Sequence, residues 1–125
     1  QMVNALVVAR WLQARPEVQR VLYPALENDP GHAIWKRDFE GAASLFGVIL
    51  HAKDRAKVTA FVNALKLFGI GSSWGGYESL VTAPHPEKVR TATPWNPRGS
   101  TIRLHIGLED PTDLIADLEQ ALARL

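Results

Sequence analysis

Residues Thr101–Leu125 read TIRLHIGLEDPTDLIADLEQALARL, and the hydrophobic period changes partway along. From Thr101 to Ile106 the period is two. Ile102, Leu104 and Ile106 face one way and Thr101, Arg103 and His105 the other, the alternation of a strand with one side on a core. From Pro111 the period is helical, with Leu114, Ile115, Leu118, Ala121, Leu122 and Leu125 on one stripe. Asp110 stands at the capping position, Pro111 takes the first helical position and Asp113 complements the positive end of the helix dipole. A one-faced strand feeding a one-striped helix is a building unit of a sheet with helices packed on it.

Upstream, Ala43–His51 is apolar on both alternating faces, as in a central strand covered on both sides. Asp54 is placed to cap a helix from Arg55 to Lys66, where Val58, Phe61, Val62 and Leu65 recur at helical spacing. Leu67–Ile70, Leu80–Thr82 and Arg20–Tyr23 read as short strands, and His32–Lys36 as one or two helical turns after Pro30-Gly31. APHPEKV and TPWNPRGS are Pro-rich and irregular. Met2–Ala14 is a helix stopped by Pro16, apolar almost all the way round, a pattern that calls for cover on most sides. Beginning at Gln1, the chain reads as a piece of something longer. The expected architecture is α+β: one domain, an open sheet packed with helices.

At 125 residues and 46% apolar content the chain can build a core. Fourteen basic against thirteen acidic residues leave no charge excess to suggest nucleic acid or a membrane surface as partner. With no cysteine, a disulfide framework and a thiolate zinc site are excluded, which fits a reducing cytosol.

The stretch GSSWGGYESL, Gly71–Leu80, sets a Ser-Trp pair against two glycines. Glycine allows a sharp turn or a close backbone approach, and Trp74 beside it is either a buried anchor or a pocket wall. Arg103, on the polar face of its strand, is either a solvated arginine or a guanidinium mounted to take a carboxylate with both arms. His105 has no second ligand at metal spacing, so packing or support is its default role. Ser73 and Ser79 lie in no nucleophile elbow, and GSSWGG lacks the lysine of a phosphate loop. The residues alone amount to a site around Ser73, Trp74 and Arg103 with no complete catalytic set.

SSWGGYESL followed by GSTIRLHIGLEDPTDLIADL resembles the C-terminal part of the trans-sulfuration family, pyridoxal-phosphate enzymes of cysteine and methionine metabolism. NALVVARWLQARPEVQRVLYPAL and PGHAIWKRDFEGAASLF extend the resemblance along the whole chain. Trp74, Tyr77 and His105 point to the bacterial cystathionine β-lyase branch, since relatives more often carry Leu where Trp74 stands and a small residue at His105. The resemblance implies a small C-terminal domain of a fold-type I enzyme with a mostly antiparallel sheet, Gln1–Ala14 being the helix that links it to a larger domain. It implies that Arg103 binds the substrate α-carboxylate, that Ser73 lies beside the cofactor-bearing lysine, and that Trp74 shapes the substrate pocket. The Schiff-base lysine, the other cofactor ligands and the catalytic tyrosine would belong to the large domain, since none of Lys36, Lys53, Lys57, Lys66 or Lys88 stands in the family's lysine motif. The whole enzyme would be a cytoplasmic homotetramer that uses pyridoxal 5′-phosphate to split cystathionine. This chain alone would be inactive, bind no cofactor, and self-associate through Met2, Leu6, Val7 and Trp11. A γ-lyase or γ-synthase piece, or a freestanding non-catalytic interaction module of the same fold, are the alternatives.

Overall fold

A computed structural model describes residues Gln1–Leu125. In chain order the elements are α1 (Met2–Gln13), β1 (Val18–Leu22), α2 (His32–Asp38), β2 (Leu45–Leu50), α3 (Arg55–Ala64), β3 (Gly69–Ile70), β4 (Leu80–Thr82), a short 3₁₀ turn at Pro86–Lys88, β5 (Ser100–His105) and α4 (Pro111–Leu122). The strands form one five-stranded sheet in the order β1-β2-β5-β4-β3. Every neighbouring pair is antiparallel except β3 with β4, so the sheet is mixed but mostly antiparallel. No helix is long and apolar enough to cross a membrane.

The alternation in β5 decides which side of the sheet is the core. Ile102, Leu104 and the following Ile106 are buried together with Phe46, Val48 and Leu50 of β2, Val21 of β1 and Val81 of β4. Against that face lie Ala5, Val8, Ala9 and Leu12 of α1, Val58, Phe61 and Val62 of α3, and Leu114, Leu118, Ala121 and Leu122 of α4, in one continuous cluster. Both expected caps form: the Asp54 carboxylate accepts from the Ala56 N–H and that of Asp110 from the Thr112 N–H. Tyr23 leaves β1 to stack on Phe46 at 5.1 Å and donates its hydroxyl to the Ala43 carbonyl, and burial pushes its phenol above the usual value near 10.

Two expectations change for one reason. α3 stops at Ala64 instead of Lys66, and β3 shrinks to Gly69–Ile70 instead of starting at Leu67. The buried Asp117 of α4 takes the amides between them, accepting from Lys66 at 2.9 Å, Leu67 at 2.7 Å and Phe68 at 3.4 Å. Those N–H groups therefore serve neither the helix nor the sheet. Gln120, one turn on, donates to Asp117 and to the Ala64 carbonyl. Elsewhere β1 starts earlier, at Val18 opposite Leu50, and α2 runs two residues longer, to Asp38.

The expected cover around α1 is one-sided within this chain: the helix lies against β1 and α4, and Val3 and Val7 are exposed on its far side. The double cover of β2 is partial. Behind the core face Ile49 is buried, but Leu45 and Gly47 are only half-covered. On that outer face the Pro-rich stretch folds back, and Trp95 donates its indole N–H to Thr101 Oγ1 at 3.0 Å. Thr101 is thus covered at one end of β5, and the Gly71–Ser79 loop lies over the other end.

Candidate functional site

Between those two covers stands Arg103, on the outer face of β5. Its cross-strand neighbours are Gly47 on β2 and Thr82 on β4, small residues that leave room for a long side chain. The guanidinium is half-exposed, and its Nη2 donates to the carbonyls of Ser72 at 2.6 Å and Ser73 at 3.3 Å. Both bonds come from one nitrogen. Nε and Nη1 take neither carbonyl, so the planar guanidinium keeps N–H groups that can donate to a carboxylate.

Two residues along the same face, His105 is buried beneath the loop. The Gly75 N–H donates to its Nε2 at 2.9 Å, and its Nδ1 lies 3.0 Å from the Glu78 carbonyl oxygen. The loop then ends in a second set of bonds. Ser79 donates its amide and its hydroxyl to the Glu109 carboxylate, and its Oγ accepts from the Gly107 N–H at 2.8 Å. The Leu108 amide donates to the Tyr77 carbonyl, and the Gln1 side chain donates to the Gly76 carbonyl. A Cβ at Gly107 would collide with the Tyr77 carbonyl oxygen, so this close approach requires glycine. Gly75 sits at φ +86°, the left-handed region that glycine enters without strain.

The loop backbone is held at almost every residue while its large side chains face outward: Trp74 is 63% exposed and Tyr77 70%. Exposed aromatics on a pre-ordered backbone lose little freedom when they bind, which favours a ligand or partner surface. The structure thus brings Ser73, and with it the adjoining Trp74, to Arg103, which is remote in sequence. Trp74 is no core anchor. Arg103 is no free surface arginine, because it is tied to the residue before Trp74. His105 supports the loop through both ring nitrogens, and Ser79 is a buried structural hydroxyl. Glu109 escaped the sequence reading. Its signal was a carboxylate just ahead of the Asp110 cap, which the cap itself did not need.

The chain belongs to the family described as Cys/Met metabolism PLP-dependent enzymes, whose model matches residues 1–123. It is 51% identical over 122 residues to a cystathionine beta-lyase of Bordetella avium, covering 97% of this chain and 31% of that protein. Among solved structures it resembles cystathionine gamma synthase from Xanthomonas oryzae pv. oryzae, solved with aminoacrylate and cysteine, at TM-score 0.82 and 32% identity. That match covers 98% of this chain and 33% of the other. A second is an O-acetylhomoserine (thiol)-lyase from Campylobacter jejuni containing N'-pyridoxyl-lysine-5'-monophosphate, with TM-score 0.80, 31% identity, and coverage of 98% and 27%. The chain therefore spans about a third of the length of the relatives it matches.

The residues present do not by themselves fit pyridoxal phosphate. Such enzymes hold it through a lysine, and Lys36, Lys53, Lys57, Lys66 and Lys88 are all exposed and lie outside both the Gly71–Ser79 loop and β5.

Proposed function

We propose that this chain is the small C-terminal domain of a PLP-dependent cystathionine β-lyase, a carbon–sulfur lyase converting cystathionine and water to homocysteine, pyruvate and ammonia. In this reading a large domain holds the cofactor and the reacting lysine, and this chain supplies the substrate-binding side. Arg103 takes the substrate α-carboxylate with the guanidinium N–H groups that the loop carbonyls leave unused. Ser73 and Trp74 line the pocket from the loop, Trp74 as its apolar wall. The observation that carries the reading is the Arg103 fork, mounted on a central strand and tied to the loop that displays Trp74. A strand mount places a side chain more closely than a loop would.

The test is to incubate the complete protein with cystathionine and identify the products. Homocysteine and pyruvate support the β-lyase, whereas cysteine and 2-oxobutyrate support the γ-lyase reading. In a parallel incubation with cysteine and an O-acylhomoserine, formation of cystathionine with release of the carboxylic acid supports the γ-synthase that the structural likeness also favours. Product-free incubation of a cofactor-loaded protein would leave the interaction module. Alone, this chain is expected to turn over no cystathionine and to self-associate through the outward side of α1. Of the expected Met2, Leu6, Val7 and Trp11 only Val7 is exposed, Leu6 and Trp11 being half-buried against the core, so the surface centres on Val7 and Val3. One equivalent of cofactor trapped by borohydride on a single lysine of the isolated chain would contradict the division of labour.

A further inference from the structure

We propose that His105 is the positioning residue for the substrate-facing loop, and that it acts only as the neutral imidazole carrying its proton on Nδ1. The proposal rests on the reading of Ser73, Trp74 and Arg103 as the substrate side of the site. Its starting point is the polarity of two bonds. The Gly75 N–H can only donate, so Nε2, 2.9 Å away, presents a lone pair. The Glu78 carbonyl can only accept, so Nδ1, 3.0 Å away, carries the proton. The Nδ1–H tautomer alone makes both bonds; the other tautomer and the imidazolium each set a proton against the Gly75 N–H. At 2% exposure the ring has no access to water that would take over from either partner.

What the ring holds is the turn on which Trp74 is mounted. Gly75 follows Trp74 directly and carries the left-handed φ that reverses the chain there. Arg103, two residues earlier on the same strand face, holds the carbonyls of Ser72 and Ser73. β5 therefore grips the loop on both sides of Trp74, ahead of it through Arg103 and behind it through His105. The two grips differ in kind. Arg103 is half-exposed and shares its guanidinium with whatever binds the site, whereas His105 is buried and wholly committed to the loop. The fixed reference for Trp74, and for the carbonyls that orient Arg103, is the imidazole.

Two substitutions in the complete protein separate its two bonds. In His105→Gln the side-chain oxygen reaches the place of Nε2 and keeps an acceptor for Gly75. In His105→Asn the amide nitrogen takes the place of Nδ1 and keeps a donor for Glu78 but abandons Gly75. His105→Gln is expected to retain kcat/KM on cystathionine within about threefold, and His105→Asn to lose about 10- to 100-fold, the scale of a buried group left unpaired. Hydrogen exchange at the Gly75 amide should stay slow in the wild type and His105→Gln and become fast in His105→Asn. Nitrogen-15 NMR of the unsubstituted protein should find Nδ1 protonated and Nε2 bare. Equal losses in the two variants, unchanged Gly75 exchange in His105→Asn, or a proton on Nε2 would overturn the proposal. Unimpaired kcat/KM in Arg103→Ala would instead overturn the substrate-site reading, and the exchange and NMR measurements would still decide whether His105 holds the loop.

Discussion

Glu109 grips Ser79 twice, accepting from its amide at 3.0 Å and its hydroxyl at 2.8 Å, although thirty residues separate them in the chain. The carboxylate closes the end of the Gly71–Ser79 loop against the start of α4, and Ser79 passes the bond on by accepting from the Gly107 N–H. Replacing Glu109 by Ala strands a buried amide and hydroxyl, at a cost of about 2 kcal/mol. The expected result is a lower denaturation midpoint together with faster proteolysis at Trp74 and Tyr77. A midpoint lowered with no change in cleavage at those residues would mean that Glu109 serves the fold and not the loop.

Asp117→Ala is expected to destabilise the fold by about 3 kcal/mol, because three amides at the α3–β3 junction lose a buried, charged acceptor. Asp117→Asn keeps the shape and one acceptor oxygen and should recover part of the loss. Urea unfolding of the two variants checks this. Equal and negligible shifts in both would show that the junction is held by packing alone.

In the complete protein Arg103→Ala is expected to damage catalysis far more than folding. Removing one partner of a desolvated charged pair costs about 2–5 kcal/mol, or roughly 30- to 5,000-fold in kcat/KM. Arg103→Lys should restore only part, since an ammonium lacks the fork and cannot hold two loop carbonyls and a carboxylate in one plane. Steady-state kinetics beside a thermal melt separate the two effects.

Trp74→Leu should leave stability nearly unchanged, because the indole is mostly exposed and no core packing depends on it. The expected change is in preference, a shift between β-elimination of cystathionine and γ-elimination of methionine-like thioethers as the apolar wall shrinks. An unchanged ratio of the two activities would take Trp74 out of the pocket.

Whatever depends on groups a few residues apart was legible in the sequence. The alternation of Ile102, Leu104 and Ile106, the stripe on α4, and the Asp54 and Asp110 caps are local periodicities and local hydrogen bonds, and they stand as read. The same reading could name Trp74 and Arg103 but left each with two roles, since a period says which face a residue lies on and nothing about what covers that face. The tertiary structure decided those cases through partners far away in the chain. Asp117 takes the Lys66–Phe68 amides from some fifty positions on, which is why α3 and β3 are shorter than their propensities suggest. The 71–79 connection crosses the outer face of β5 because β3 pairs parallel to β4, and that crossing places Ser72 and Ser73 on Arg103 and Gly75 on His105. Buried donors and acceptors must find partners wherever the fold has put them. Only the assembled chain could show that the partners of Arg103 and His105 are the backbone of the loop that carries Trp74.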